Sequence, residues 1–246
     1  MTAKLFFVPA GRLGESTAVL TGAEHRHLRA ARIKAGDDVW LFDENGTRIR
    51  AAVEAISAAS TRLRLLQREP PEESRLRVIL VPAVLKNKAM DEVMERAAEW
   101  GVAEVRPVSS ERTVVKLDER EDKKAERWRQ IARAAAEQCK SGRIPVIFAP
   151  VPLSAVLTAA LPGRKVVLSE RGGLPLKTIL ASTPRPEGNS PDAWVLLIGP
   201  EGGWSDGELD AAADAGFEAG SLGSHILKAG TAALSAVAIL VHERGL

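Results

Sequence analysis

The sequence predicts an α/β chain: a small β-rich domain, a barrel in outline, over residues 1–70, then a mostly parallel sheet flanked by helices over 75–246. Three observations predict it. In the second part, apolar runs that suit buried strands alternate with amphipathic stretches of helical period, the pattern of strands joined by crossover helices. The first part carries short β-like runs in close succession instead. Between them stands REPPEESR, Arg68–Arg75, whose adjacent prolines and charges suit a domain boundary.

In the small domain the predicted strands are Val39–Phe42, Arg48–Ile56 and Thr61–Leu66, the first two divided by the turn signal Asp43-Glu44-Asn45-Gly46. Ahead of them, EHRHLRAARIK (Glu24–Lys34) is a basic cluster, and its spacing has a meaning only if the segment is helical. Arg26, Arg29 and Arg32 recur every three residues, so on a helix they project to one side and, with Lys34, suit contacts to RNA phosphates. A solvated helix face explains the same spacing. His25 and His27 diverge on a helix, which argues against a metal site.

In the second domain Leu76–Val81, Lys165–Leu168 and Ala193–Ile198 are the predicted buried strands. Met90, Val93, Met94, Ala97 and Ala98 share one helical face, as do Trp128, Ile131, Ala132, Ala135 and Cys139. Arg120–Arg143 reads as an amphipathic helix with a basic outer face that suits RNA, or simply water. Ser182–Asp192 (STPRPEGNSPD) reads as a surface loop.

The 34 Lys and Arg against 32 Asp and Glu give a net charge of only +2, which names no partner. Its distribution is uneven: the chain from Gly188 onward is acidic, so an anionic polymer would be attracted by the front of the chain. Cys139, the single cysteine, allows no internal disulfide and has no metal-ligand neighbours, which suits a cytoplasmic home. The opening MTAKLFFVPAGRLG is too short in apolar residues for a signal peptide. Ala229–Val241, interrupted by Gly230, Thr231 and Ser235, is too short for a membrane span of about 18 residues. No membrane or metal partner is expected.

The most informative segment is WVLLIGPEGGWSDGEL, Trp194–Leu209. A buried-strand run ends at Gly199, Gly202 and Gly203 follow, and a helix opens at Ser205, which forms a capping box with Glu208. Glycines at the carboxyl end of a strand let backbone approach a ligand, at the edge where open α/β sheets bind. A tight strand-to-helix turn explains the same residues. No Gly-Lys-Ser/Thr follows, and GxGxxG is absent, so neither a phosphate loop nor a dinucleotide fingerprint is present. A second such edge lies in SLGSHILKAGTAA, Ser221–Ala233, where a helix is expected from about Thr231. Two glycine-bearing loops with apolar neighbours suit a flat, mostly apolar cofactor. His225 and Lys228 are the ionisable side chains there, although lone residues of this kind are usually just solvated.

LLIGPEGG, SLGxxILxAxTAAL, SERTVVKL (Ser110–Leu117) and RWRQIARAAAEQC (Arg127–Cys139), with HLRAARIKAGD (His27–Asp37) at the front, resemble the RsmE family of the SPOUT superfamily nearly end to end. The resemblance implies methylation of N3 of a uridine in 16S ribosomal RNA, with S-adenosylmethionine as cofactor. It implies a PUA-like RNA-binding β-barrel domain over 1–70 and, over 75–246, a SPOUT methyltransferase domain that pairs as a homodimer. It also implies a trefoil knot in that domain's sheet, which patterning argues against because knotted chains are rare. By the same resemblance the cofactor lies among Leu168, Ser169, Glu170, Ile198, Gly199, Glu201, Gly202, Gly203, Leu222, Gly223, Ile226 and Leu227. Arg112 and Arg143 join the candidate RNA contacts.

The sequence departs from the family pattern GPRILRAETAAL, reading GSHILKAGTAAL, so that His225, Lys228 and Gly230 stand where Arg, Arg and an acid are usual. Ser141 also replaces a basic residue, leaving Arg143. Because uridine N3 carries a proton, methylation needs that proton removed or the resulting charge stabilised. Lys228 is the candidate donor and His225 the candidate proton acceptor. Two alternatives stand beside this enzyme: a knotted RNA-binding protein that no longer transfers methyl, and a SPOUT methyltransferase with another RNA target.

Overall fold

A computed structural model describes residues 4–72, 74–86, 88–114 and 121–245. Residues 115–117 of the SERTVVKL segment and Arg120 of the basic helix lie outside the described residues. The chain divides into two compact units, Met1–Glu73 with Arg133–Ile144, and Ser74–Ala132 with Pro145–Leu246.

The first unit contains β1 (Leu5–Phe7), β2 (Thr17–Thr21), α1 (Gly22–Ala30), β3 (Asp38–Phe42), β4 (Arg48–Ile56) and β5 (Ser60–Glu69). The sheet order is β1-β3-β4-β5-β2, antiparallel except for β1 beside β3. Period-two alternation puts Ala18 and Leu20 of β2, and Ile49, Ala51 and Val53 of β4, into one core. Irregularities in β4 at Arg50/Ala51 and Val53/Ala55 bend this sheet into a half-barrel. The expected turn forms because the buried Asp43 carboxylate accepts the backbone N–H groups of Asn45 and Thr47, both at 2.9 Å.

His25 is buried on α1 and points away from His27. Its Nε2 lies 3.3 Å from the Ala58 carbonyl, which can only accept, so Nε2 carries the proton and Nδ1 accepts from the Thr61 hydroxyl at 2.8 Å. The arginine stripe is shorter than its spacing predicts. The helix stops at Ala30, Arg32 takes a left-handed φ of 58°, and Ile33 N–H bonds the Leu28 carbonyl at 3.2 Å. This is a Schellman stop with arginine where glycine is usual, so Arg32 leaves the face shared by Arg26 and Arg29.

The second unit runs β6 (Leu76–Pro82), α2 (Lys88–Glu99), β7 (Glu104–Val105), β8 (Val108–Ser109), α3 (Glu121–Cys139), β9 (Val146–Ile147), β10 (Val151–Pro152), α4 (Leu153–Leu157), β11 (Arg164–Leu168), β12 (Leu174–Pro175), α5 (Leu176–Ser182), β13 (Asp192–Ile198), α6 (Asp206–Asp214), β14 (Glu218–Ser221) and α7 (Ala229–Arg244). The last turns of α3, from Arg133, are assigned to the first unit. Seven strands form one parallel sheet in the order β12-β14-β11-β13-β6-β7-β9, and β8 pairs with β10. All five residues Trp194–Ile198 of β13 are buried, as a strand covered on both faces requires.

On α3 the buried face is Ala125, Trp128, Ala132, Ala135 and Ala136; Ile131 is half-buried and Cys139 is exposed, against expectation. At its position the helix has reached its final residue and the core has ended. α7 starts at Ala229, two residues before the expected Thr231, with Lys228 as its N-cap residue.

Because β11 lies between β13 and β14, the chain leaves β13, lays β14 on the far side of β11, and returns to pack α7 against α2, β13 and β6. That return runs through Leu222–Lys228, the stretch where the resemblance puts the trefoil knot.

Among the described residues Glu104 is the one carboxylate whose titration is clearly displaced. Burial alone would raise it, but hydrogen bonds from Arg77 and from Arg106 Nε, the latter at 2.7 Å, hold it below its ordinary range. A carboxylate with a lowered folded pKa contributes stability that is present above its unfolded pKa of 4.5 and lost as pH falls through the folded value. Glu104→Gln is therefore expected to lower the unfolding midpoint at pH 7 and to flatten its loss below about pH 4.5, read by denaturant titration across pH. An unchanged acid limb would contradict this. Among the described residues no helix is long and apolar enough to cross a membrane, and no group of three or more His, Cys, Asp or Glu is placed to hold a metal ion.

Candidate functional site

Three loops leave the carboxyl ends of β11, β13 and β14 on one edge of the parallel sheet and, with the start of α7, enclose a cleft of about 330 Å³. This lies within the range of roughly 300–1,000 Å³ typical of small-molecule sites. Leu168, Ser169, Glu170, Ile198, Gly199, Glu201, Gly203, Leu222, Gly223, Ile226 and Leu227 all line it, and so do His225 and Lys228. Gly202 does not; it turns outward, where its carbonyl accepts from Arg112 Nη1 at 3.1 Å. Arg143 is assigned to the other unit, its backbone N–H bonded to Ser141 Oγ at 3.3 Å.

The loop after β13 is held from both ends. Gly203 N–H bonds the Pro200 carbonyl at 2.9 Å, and the expected capping box is formed: Glu208 N–H to Ser205 Oγ at 3.3 Å, and Ser205 N–H to Glu208 Oε2 at 2.9 Å. Gly203 has a φ of 68°, and a Cβ there would stand 2.9 Å from Glu170 Oε1, so glycine lets this carboxylate close over the loop. At Gly199 the reason for glycine is different. A Cβ there would meet the Trp204 ring at 3.1 Å, and that buried indole donates from Nε1 to the Leu168 carbonyl at 3.1 Å. Glycine at 199 makes room for Trp204, which ties the β11 and β13 loops together. Gly199→Val would therefore disturb the core as well as a ligand.

Trp204, Ser221 and Ala232 also belong to the cleft, and sequence reasoning passed over them. Trp204 had a signal, since it directly follows GPEGG. Ser221 braces its loop by donating to the Gly223 carbonyl at 3.1 Å while accepting the Gly223 N–H at 3.2 Å.

Chemically the cleft has an apolar side and an acidic side. Leu168, Ile198, Leu222, Ile226 and Leu227 offer apolar surface, and Ile226 is 80 % exposed, a large side chain with nothing packed on it. Glu170 and Glu201 supply negative charge, whereas Arg171 is tied to Asp206. Lys228 and His225 are exposed at the rim, and Lys228 pairs with no carboxylate among the described residues. Such a site suits a ligand with a flat apolar part and a cationic centre, presented to a second molecule at the rim.

A family model described as RNA methyltransferase domain matches residues 72–241, and one described as RNA methyltransferase PUA domain matches residues 20–61. The ribosomal RNA small subunit methyltransferase E of Mycobacterium tuberculosis is 32% identical over 250 residues, 98% of this chain and 93% of that one. That of Synechocystis sp. is 32% identical over 229 residues, 91% of this chain and 72% of that one. Among solved structures, ribosomal RNA small subunit methyltransferase E from Neisseria gonorrhoeae, bound to S-adenosyl methionine, superposes with a TM-score of 0.86 at 28% identity, covering 98% of this chain and 97% of that one. A Legionella pneumophila protein in complex with the cofactor SAM gives 0.85 at 28% identity, covering 98% of both chains. The chain belongs to the ribosomal RNA small subunit methyltransferase E family, SPOUT-type RNA methyltransferases with an amino-terminal PUA domain.

Proposed function

We propose that this chain is an S-adenosylmethionine-dependent methyltransferase acting on N3 of a uridine in 16S ribosomal RNA. The observation that carries it is the three-loop cleft, apolar on one side and acidic on the other, with Lys228 and His225 at its open rim. When bound, the cofactor supplies a methyl group that its sulfonium has already made electrophilic. Leu222, Ile226 and Leu227 would hold the flat adenosyl part, and Glu170 and Glu201 would supply negative charge for the sulfonium. At the rim, Lys228 stabilises the charge left on the uridine when N3 loses its proton, and His225 accepts that proton. As N-cap residue of the 16-residue helix α7, Lys228 stands where the helix dipole adds positive potential of its own. N3 lies on the Watson–Crick edge, so the target base must be unpaired or turned out.

One observation favours a binding protein without transfer. Gly230 leaves the first turn of α7 without the acid that the family pattern carries there; it does not line the cleft, and a Cβ on it would be in ordinary contact with Ala89, Leu85 and Val93 at 3.9 Å. Incubation with methyl-labelled cofactor separates the readings. Label recovered as N3-methyluridine supports the enzyme, label on a ribose hydroxyl means another target, and RNA binding without label means the binding protein.

The PUA-like unit supplies sequence-independent affinity. Arg26 and Arg29 on α1, with Arg32 and Lys34 beyond it, are all exposed and make the phosphate contacts; Arg143 of this unit, and separately Arg112 of the second unit, are further candidate contacts. Replacing Arg26 and Arg29 with Ala is expected to reduce the salt dependence of RNA binding by about one unit of slope per lost contact, leaving cofactor affinity unchanged. An unaltered slope would make the pair a solvated face. The protein works in the cytoplasm as a homodimer, for which half-buried Leu234, Ala238 and Val241 on α7 offer an apolar face. Light scattering should read two chains per particle, and one chain per particle would contradict the pairing.

A further inference from the structure

A second cluster lies on the same edge of the sheet, three strands away from β13, where β7 and β9 end. Phe148 follows β9 and is 36% exposed, with the Arg106 guanidinium lying 4.0 Å from its ring centroid. Arg106 is not free to wander. The buried Glu104 carboxylate binds both its Nε and its Nη2 at 2.7 Å, and takes Arg77 on the other oxygen. Val146, 56 % exposed, adds apolar surface beside it. The result is a fixed guanidinium stacked on a phenyl ring, with two arginines against one carboxylate.

We propose that Arg106 and Phe148 form a stacking platform for an unpaired base of the RNA substrate, next to the strand held in the methylation cleft. It rests on the methyltransferase reading. Bases stack on aromatic rings and on arginine planes irrespective of sequence, while the surplus positive charge favours the phosphates beside them. At about 4.8 Å per strand the platform lies roughly 14 Å from β13, so a single RNA segment can span cleft and platform. The alternative occupant of a sheet edge, an added protein strand, meets an obstacle. β9 directs Val146 N–H and Phe148 N–H inward to β7, at 2.9 and 3.0 Å, and its outward Ile147 carbonyl already accepts from Arg129 Nε at 3.1 Å.

The experiment measures binding of naked 16S ribosomal RNA by the full chain and by F148A and F148W. F148A is expected to bind about tenfold more weakly, with the salt slope and S-adenosylmethionine affinity of the wild type, because stacking rather than charge is lost. F148W keeps a ring and is expected to restore wild-type affinity, which separates loss of stacking from misfolding. Wild-type affinity in F148A would overturn the platform. So would a loss seen only with assembled small subunits, which would make the partner a ribosomal protein. If the wild-type chain itself neither binds nor methylates this RNA, the methyltransferase reading fails first and the platform with it.

Discussion

Lys228→Ala is expected to lower single-turnover methyl transfer by about a hundredfold at saturating cofactor, with little change in RNA affinity. Lys228 has no carboxylate partner among the described residues, so its ammonium is available to a charge that appears only when uridine N3 is deprotonated. An interaction made chiefly with that developing charge lowers the rate rather than the binding when removed. Lys228→Arg should retain most of the rate, since charge rather than fork geometry is what N3 needs here. His225 is the proposed proton acceptor, so His225→Ala should lower the single-turnover rate while leaving RNA affinity little changed. Near-normal rates in both variants would move the donor to an arginine of a second copy, Arg112 or Arg143.

Arg244→Ala is expected to cost about 3–5 kcal/mol of stability, the range for breaking a buried ion pair from one side. Arg244 stands in the last turn of α7, its side chain 6% exposed, with Nε 2.6 Å from Asp192 Oδ2 at the start of β13. Nη1 donates to the Leu180 and Thr183 carbonyls at 3.3 and 2.9 Å, and Nη2 to that of Pro184 at 3.2 Å. Removal leaves a buried carboxylate and three carbonyls short of a donor, at the end of the helix that closes the knot. Lysine cannot reproduce the planar fork, so Arg244→Lys should recover only part of the loss. Denaturant unfolding with an unchanged slope and a lower midpoint is the expected reading. A midpoint within about 1 kcal/mol of wild type would mean that the pair and its carbonyl cage hold nothing.

How much of this was legible in the sequence depended on length and burial. β13 and β6 read as strands because a parallel strand covered on both faces is a nearly continuous apolar run, broken in β6 by the exposed Arg77, and the Ser205 box announced α6. β12, as Leu174–Pro175, and the pairs at β7 to β10 are too short to show any period. The α1 stop was hidden because Arg32 holds the left-handed position without being glycine. The assignment of Arg133–Ile144 to the first unit was invisible, since composition marks a linker at Pro70-Pro71 and nothing local marks a helix shared between units. The knot is a matter of strand order, which local periodicity does not encode; resemblance supplied it. In the cleft, glycines were readable as places of close approach, but that Gly199 clears space for Trp204 follows from how the loop folds back, which no local pattern encodes.

We propose delivery of a methyl group by this cleft to uridine N3 of small-subunit RNA. It is tested most directly by nucleoside mass analysis of 16S ribosomal RNA from cells with the wild-type chain, with Lys228→Ala and with none. The expected result is one N3-methyluridine present with the wild type, absent without the chain and strongly reduced in the variant. Identical N3-methyluridine in all three would contradict the account.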